Sequence, residues 1–222
     1  MQEYYFNEIT STQEYAKEIS LHGKENFVVF SDIQSNGHGR YLRTWESPKG
    51  GLWFSFDNDF SNKNGLFTII MGVAIRDVLE RIYNRKVKLK WPNDLMFNNK
   101  KVGGIICERV NNKIIIGIGI NTNVKEIKNE KATTFIKELN KTVDNKTLMK
   151  EIVQKCKEYL EYDVDRIIKK FKENMAYIGE ECFVSALNEK VKILNIADDG
   201  KLIVETKNGI KEVFTGEINE CI

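Results

Sequence analysis

Residues 66–83 constrain the fold most. Apolar side chains recur at Leu66, Ile69, Ile70, Val73, Ile75, Val78, Leu79 and Ile82, a helical spacing wider than one surface stripe. A helix apolar over that much of its circumference has to lie on a sheet. Strand-like runs flank it. Residues 27–31 read as a buried strand, and residues 52–56 alternate Leu52, Phe54 and Phe56 against Trp53 and Ser55. Residues 87–90, 102–108 and 113–119 follow as a meander, with turns at Asn98-Asn99 and Asn111-Asn112. The fold class is α+β, with helices on a central mixed or antiparallel sheet.

Two further helical stretches frame this core. Ser11 followed by Glu14 is a capping-box pattern and starts a helix over residues 13–21, ending near Gly23. The spacing of Leu148, Ile152, Cys156, Leu160, Val164, Ile167 and Phe171 predicts helix over residues 146–175, broken near Tyr162-Asp163. The pattern then changes to short strands at 181–185, 191–197, 202–206 and 210–214, with hairpin signals at Asp199-Gly200 and Asn208-Gly209. These give a larger domain over 1–175 and a small β-barrel-like domain over 176–222.

Composition excludes some partners. With 34 Lys and Arg against 32 Asp and Glu, no whole-protein field draws the chain to nucleic acid or an anionic membrane. No apolar run is long enough to span a bilayer, and residues 1–9 lack the pattern of a signal peptide, so the expected location is cytoplasmic. Cys107, Cys156, Cys182 and Cys221 are scattered without a Cys-x-x-Cys pair, and the expectation is that they are reduced.

Chemistry concentrates in three places. The loop Gly37-His38-Gly39-Arg40-Tyr41-Leu42-Arg43-Thr44-Trp45 combines glycines with planar donor forks suited to carboxylate or phosphate, although a solvated basic turn has the same composition. Lys90-Trp91-Pro92-Asn93-Asp94 gathers a cation, an amide and a carboxylate at a strand end, with Asp94 the candidate magnesium ligand. Lys101-Val102-Gly103-Gly104-Ile105 and Gly117-Ile118-Gly119-Ile120-Asn121 are glycine-thinned strands open to close approach.

In this order and spacing, Ser11-Thr12-Gln13, Gln34, the glycine loop, SPKGG, KWPND, KVGGI and GIGIN resemble the biotin protein ligase (biotin–acetyl-CoA-carboxylase ligase) family over nearly the whole chain. The resemblance implies a class II synthetase-like catalytic domain and an SH3-like C-terminal barrel. It also implies a two-step reaction, in which biotin and ATP with Mg2+ give biotinyl-5′-AMP and a lysine of a biotin carboxyl carrier protein then takes the biotinyl group. Carried over by position, Ser11, Thr12, Gln13, Gln34, Gly37, His38, Gly39, Arg40, Lys101, Gly103 and Gly104 belong to biotin. Arg40, Arg43, Trp45, Lys90, Asn93 and Asn121 belong to ATP, with Trp45 beside adenine. Lys101, Arg40, Asp94 and Lys90 are the catalytic set.

The loop departs from the family pattern in two positions. His38 stands where an arginine is usual, and a histidine's charge changes near neutral pH. Leu42 stands where a glycine is usual. Only ten residues precede Ser11, so no winged helix is expected and DNA binding is not. The resemblance also brings a homodimer into view, since relatives often dimerise edge to edge through the central sheet, with the strand at 113–119 a candidate edge and the oligomeric state left open. Lipoate ligase or transferase chemistry and a non-catalytic biotin or nucleotide sensor are the alternatives.

Overall fold

The computed structural model describes residues 1–60, 63 and 65–221. The chain divides into two compact units, Met1–Asn64 with Phe97–Gln154 and Gly65–Met96 with Lys155–Ile222. The small sheet begins at Glu181, after the boundary expected at 175/176, and the second unit also takes in residues 65–96 and 155–175.

In the first unit, β1 (Gln2–Ile9), β2 (Phe27–Gln34), β3 (Leu52–Asp59), β7 (Lys113–Ile120) and β6 (Lys100–Val110) lie side by side in that order. β1 pairs parallel to β2, and the remaining ladders are antiparallel. Sequence reading missed β1 because its residues are mostly exposed and its identity rests on main-chain pairing with a distant segment. It also placed residues 113–119 at an edge. That expectation is corrected: β7 is hydrogen-bonded to β3 on one side and β6 on the other, so its main-chain groups are spent and cannot pair with a second copy.

Helix α1 (Thr12–Leu21) begins as its capping pattern predicts, with Ser11 Oγ accepting from Glu14 N at 3.3 Å. Ala16 on its inner face is fully buried against Phe27, Val29 and Ile115, with Tyr15 and Ile19 beside it. Burial of large apolar side chains of this kind is worth about 1.5–3 kcal/mol each and holds the helix on the sheet. A short helix, α3 (Phe135–Leu139), capped by Thr134, and a longer one, α4 (Asn145–Leu160), which runs on into the second unit, follow in the chain.

In the second unit, α2 (Phe67–Tyr83) buries Met71, Ala74, Ile75 and Leu79 completely and packs against α5 (Val164–Asn174) and β4 (Lys88–Lys90). The break between α4 and α5 falls where Tyr162-Asp163 predicted it. β4 forms an antiparallel hairpin with β5 (Asp94–Phe97). The C-terminal strands β8 (Glu181–Val184), β9 (Glu189–Ile196), β10 (Leu202–Thr206), β11 (Gly209–Val213) and β12 (Ile218–Asn219) make an antiparallel sheet in the order β11-β10-β9-β8-β12. β12 pairs with β8 and thereby brings Cys221 to Cys182. These two form a disulfide, which corrects the expectation that all four cysteines are reduced. Cys107 and Cys156 are not disulfide-bonded. No helix among the described residues is long and apolar enough to cross a membrane.

Candidate functional site

The glycine loop is a closed irregular hairpin. Trp45 N donates to Gly37 O at 2.8 Å, Gly39 N donates to Arg43 O at 2.8 Å, and Arg43 N donates to Arg40 O at 3.2 Å, closing a tight turn at the tip. A Cβ on Gly37 would stand 2.6 Å from Ser47 Oγ and 2.8 Å from Trp45 O, so the crossing at its base admits only glycine. At the tip Tyr41 and Leu42 both take left-handed backbone angles, φ 56°. This gives the departure at Leu42 a physical meaning: an L-residue occupies a conformation that a glycine adopts without cost, with 80% of its side chain in solvent. Arg40 stacks on the Tyr41 ring and donates to its hydroxyl at 3.1 Å, while Arg43 is exposed.

His38 is docked to α1. Its Nε2 lies 2.9 Å from Glu14 Oε1, and Lys17 Nζ lies 2.7 Å from the same oxygen. Burial raises the Glu14 carboxyl, but hydrogen bonds from Lys17 and His38 outweigh it and leave the group below its ordinary value. The histidine thus anchors the loop base to the helix that begins at Ser11, Thr12 and Gln13.

Those helix-start residues form a polar cluster with β2 and β3. Gln34 Oε1 accepts from Thr12 N at 2.8 Å and Thr12 Oγ1 at 3.1 Å, and Gln34 Nε2 donates to Ser47 Oγ at 2.8 Å. Because the Thr12 hydroxyl gives its proton to Gln34, Ser55 Oγ is the donor in its 3.0 Å contact with Thr12 Oγ1. The acceptor end of Gln34 is therefore taken by protein. Gln13 differs. Its Nε2 donates to Glu108 Oε2 at 2.9 Å and Ile115 O at 3.2 Å, while its Oε1 is buried without a hydrogen-bond partner.

That oxygen lies on a surface cleared by glycines. A Cβ on Gly117 would stand 2.5 Å from Gln13 Oε1, and a Cβ on Gly119 would stand 2.6 Å from Trp45 Nε1, an indole N–H that is also buried without a partner. Gly117 and Gly119 are two apart on β7 and share one face. Gly104 pairs with Gly119 across the ladder, and its missing Cβ leaves room for the Lys101 Cε and the Trp45 ring, each 3.4 Å from where that Cβ would be. Lys101 Nζ sits 5.0 Å from the Trp45 ring centroid. Gly103 lies buried beside Ile120.

A groove of ≈ 1190 Å³ opens beside Gln34, Gly37 and Trp45, walled on its far side by residues 125–130 and 132–134. Four lysines line it, Lys100, which opens the β6 glycine motif, and Lys125, Lys128 and Lys137, which the sequence patterns did not single out. Their segment carries no periodicity and is placed by tertiary bonds. Lys101 N donates to Lys131 O, Thr133 N donates to Lys101 O, and Asn121 Nδ2 donates to Thr133 O at 3.1 Å. The Asn121 side chain thus pins the groove wall.

Lys90, Asn93 and Asp94 belong to the second unit. Lys90 and Asp94 face each other across the β4–β5 hairpin with Nζ 3.0 Å from Oδ2, and the turn between them holds a cis Trp91–Pro92 peptide. Trp91 is buried and donates its indole N–H to Gly200 O at 2.9 Å, so its role is to anchor the hairpin. Tyr177 stands near this pair at a left-handed φ of 66°. Burial pushes its phenol up; the Lys90 charge counters this, and Glu180 and Asp94 add to it. The Asp94 carboxylate does not by itself fit magnesium. A hard cation takes several oxygens, whereas Asp94 is already paired with Lys90, and among the described residues no group of three or more metal-ligating side chains includes it.

Comparison with known proteins gives the family and the fold. Residues 177–219 match the Biotin protein ligase C terminal domain. The bifunctional ligase/repressor BirA of Bacillus subtilis is 30% identical over 237 residues, covering 96% of this chain and 72% of the relative. The structure of biotin protein ligase from Aquifex aeolicus in complex with biotin and ATP superposes with a TM-score of 0.89 at 32% identity, covering 98% of this chain and 97% of the other. The apo structure of the Aquifex aeolicus ligase gives a TM-score of 0.86 at 28% identity over 98% and 97%. Residues 5–124 match the Biotin/lipoate A/B protein ligase family, and the chain belongs to that family.

Proposed function

We propose that this chain is an ATP-dependent biotin protein ligase. It joins the biotin carboxylate to the α-phosphate of ATP, releases pyrophosphate, and passes the biotinyl group from biotinyl-5′-AMP to a lysine amine of a biotin carboxyl carrier protein as an amide, releasing AMP and a proton. The observation that carries this reading is the buried Gln13 Oε1 over Gly117, which has no hydrogen-bond partner in the protein and would accept an N–H from a ligand. An unsatisfied buried carbonyl costs about 1–3 kcal/mol, which a ureido N–H would recover.

The first step brings two anions together, so cations must offset their repulsion. Lys101, at the edge of the glycine-cleared surface, is proposed to meet the carboxylate and phosphate, and Arg40 to close over them from the loop tip. Each charge-assisted contact is worth about 1.5–3 kcal/mol, and such contacts raise the rate where charge develops in the transition state. Trp45 is proposed to wall the ligand through its ring, next to Lys101. Arg43 and Asn121 are proposed for the nucleotide, Asn121 by holding the groove wall. Lys90, Asn93 and Asp94 are proposed for nucleotide contacts and, for Asp94, for receiving a proton from the carrier lysine.

The family description also includes lipoate. The C-terminal match to a biotin ligase domain favours biotin. The deciding experiment is incubation with ATP, magnesium, biotin and a biotin carboxyl carrier domain, followed by mass spectrometry of the carrier. A biotinylated lysine is expected. Pyrophosphate exchange stimulated by lipoate but not by biotin would replace this reading with the lipoate one, and no exchange with either would leave a binding protein.

A further inference from the structure

We propose that Glu108 and Lys17 are positioning residues for ligand recognition, acting through the Gln13 carboxamide. This rests on the ligase reading above. Gln13 is 3% exposed, and its amide nitrogen faces two oxygens, Glu108 Oε2 at 2.9 Å and Ile115 O at 3.2 Å. Turning the amide over would set Oε1 against both of those acceptors, so the orientation is fixed by chemistry. The carbonyl oxygen is thereby held toward Gly117 as a buried acceptor awaiting a donor.

Ile115 O is a β7 main-chain group that any side chain would leave in place. Glu108 supplies the adjustable half of the lock, and a bond from an amide N–H to a carboxylate is charge-assisted. Lys17 holds the other carboxylate oxygen, Nζ to Glu108 Oε1 at 3.2 Å, and the same ammonium binds Glu14 at 2.7 Å. Burial lowers the Lys17 ammonium, while the Glu14 hydrogen bond and the Glu108 charge outweigh it and keep the group above its ordinary value. The result is a continuous path from His38 through Glu14, Lys17 and Glu108 to Gln13. It couples the base of the glycine loop to the acceptor at the centre of the glycine-cleared surface. A ligand edge with ring N–H groups, such as a cyclic urea, is the chemistry this oxygen selects.

The test is steady-state kinetics of biotin-dependent pyrophosphate exchange, with biotin affinity by calorimetry, on the full chain. Glu108→Ala is expected to raise the KM and Kd for biotin by about 10- to 100-fold, the effect of losing one charge-assisted bond, with the KM for ATP moving less than about twofold. Glu108→Gln, whose amide oxygen still accepts from Gln13, should return biotin binding to within about threefold of the parent. Lys17→Met should fall between the two. Adding Glu108→Ala to Gln13→Ala should change biotin binding no further, because residues acting through one group are not additive.

A Glu108→Ala protein in which the KM values for ATP and biotin rise together, a Glu108→Gln protein as weak as Glu108→Ala, or additive losses in the double variant would each overturn the inference while leaving the ligase reading standing. If Glu108→Ala does not fold, Glu108→Gln and Lys17→Met carry the same test. A parent enzyme with no biotin-dependent exchange would overturn the ligase reading and this inference with it.

Discussion

Lys101 has two separable roles, because its main chain holds residues 131 and 133 while its ammonium lies over the Trp45 ring. Lys101→Ala removes only the second. Adenylate formation is expected to fall by about 100- to 1,000-fold, the cost typical of losing one transition-state contact, with the far-ultraviolet circular dichroism and unfolding midpoint unchanged. An active Lys101→Ala enzyme would remove this lysine from the reaction. At Gly119 the added methyl of Gly119→Ala would lie 2.6 Å from Trp45 Nε1, so the indole must move off the strand. Biotin affinity should drop at least tenfold, about 1.4 kcal/mol, while Trp45 fluorescence reports the displacement; unchanged emission and affinity would contradict the packing. The sequence marked Gly119, Lys101 and Trp45 individually. It could not show that they touch, nor that Gln13 rather than Gln34 keeps an open acceptor, because both facts depend on partners many residues away.

At the scale of elements, α2 and α5 are joined by Asp77, whose carboxylate accepts from Lys170 at 2.5 Å and from the Tyr159 hydroxyl. Burial raises the Asp77 carboxyl, but those hydrogen bonds outweigh it and leave it below its ordinary 3.8. A carboxyl depressed in the folded state stabilises above its unfolded pKa, and that stability is lost as pH falls through the folded value. Asp77→Asn should therefore cost about 1.5–3 kcal/mol at neutral pH, and the gap to the parent should close as pH drops below about 4. Urea titrations at pH 7 and pH 3 decide it: a gap that is constant with pH refutes the charge-based account. None of this was visible beforehand. The helical spacing of residues 66–83 and the break at Tyr162-Asp163 were legible because periodicity is local, whereas the ion pair spans 93 positions.

At the scale of the whole molecule, the Cys182–Cys221 bond closes a loop of 39 residues in sequence separation. Such a closure is worth about 2–4 kcal/mol. Reduction by dithiothreitol, or Cys221→Ser, should lower the unfolding free energy of the second unit by that amount and its denaturant midpoint with it, and thiol counting before and after reduction should differ by two. Equal midpoints and four titratable thiols without reductant would argue that the bond does not form. The sequence by itself determined the element types, most of their turns, the α+β class and the family motifs, since each is written in contiguous residues as a period, a cap or a glycine. Tertiary structure alone decided that residues 2–9 form a strand, that β7 is internal, that two of the cysteines pair, and that Glu108 orients Gln13 across 95 residues. The physical reason is that strand neighbours and the partners of buried polar groups are chosen by global packing.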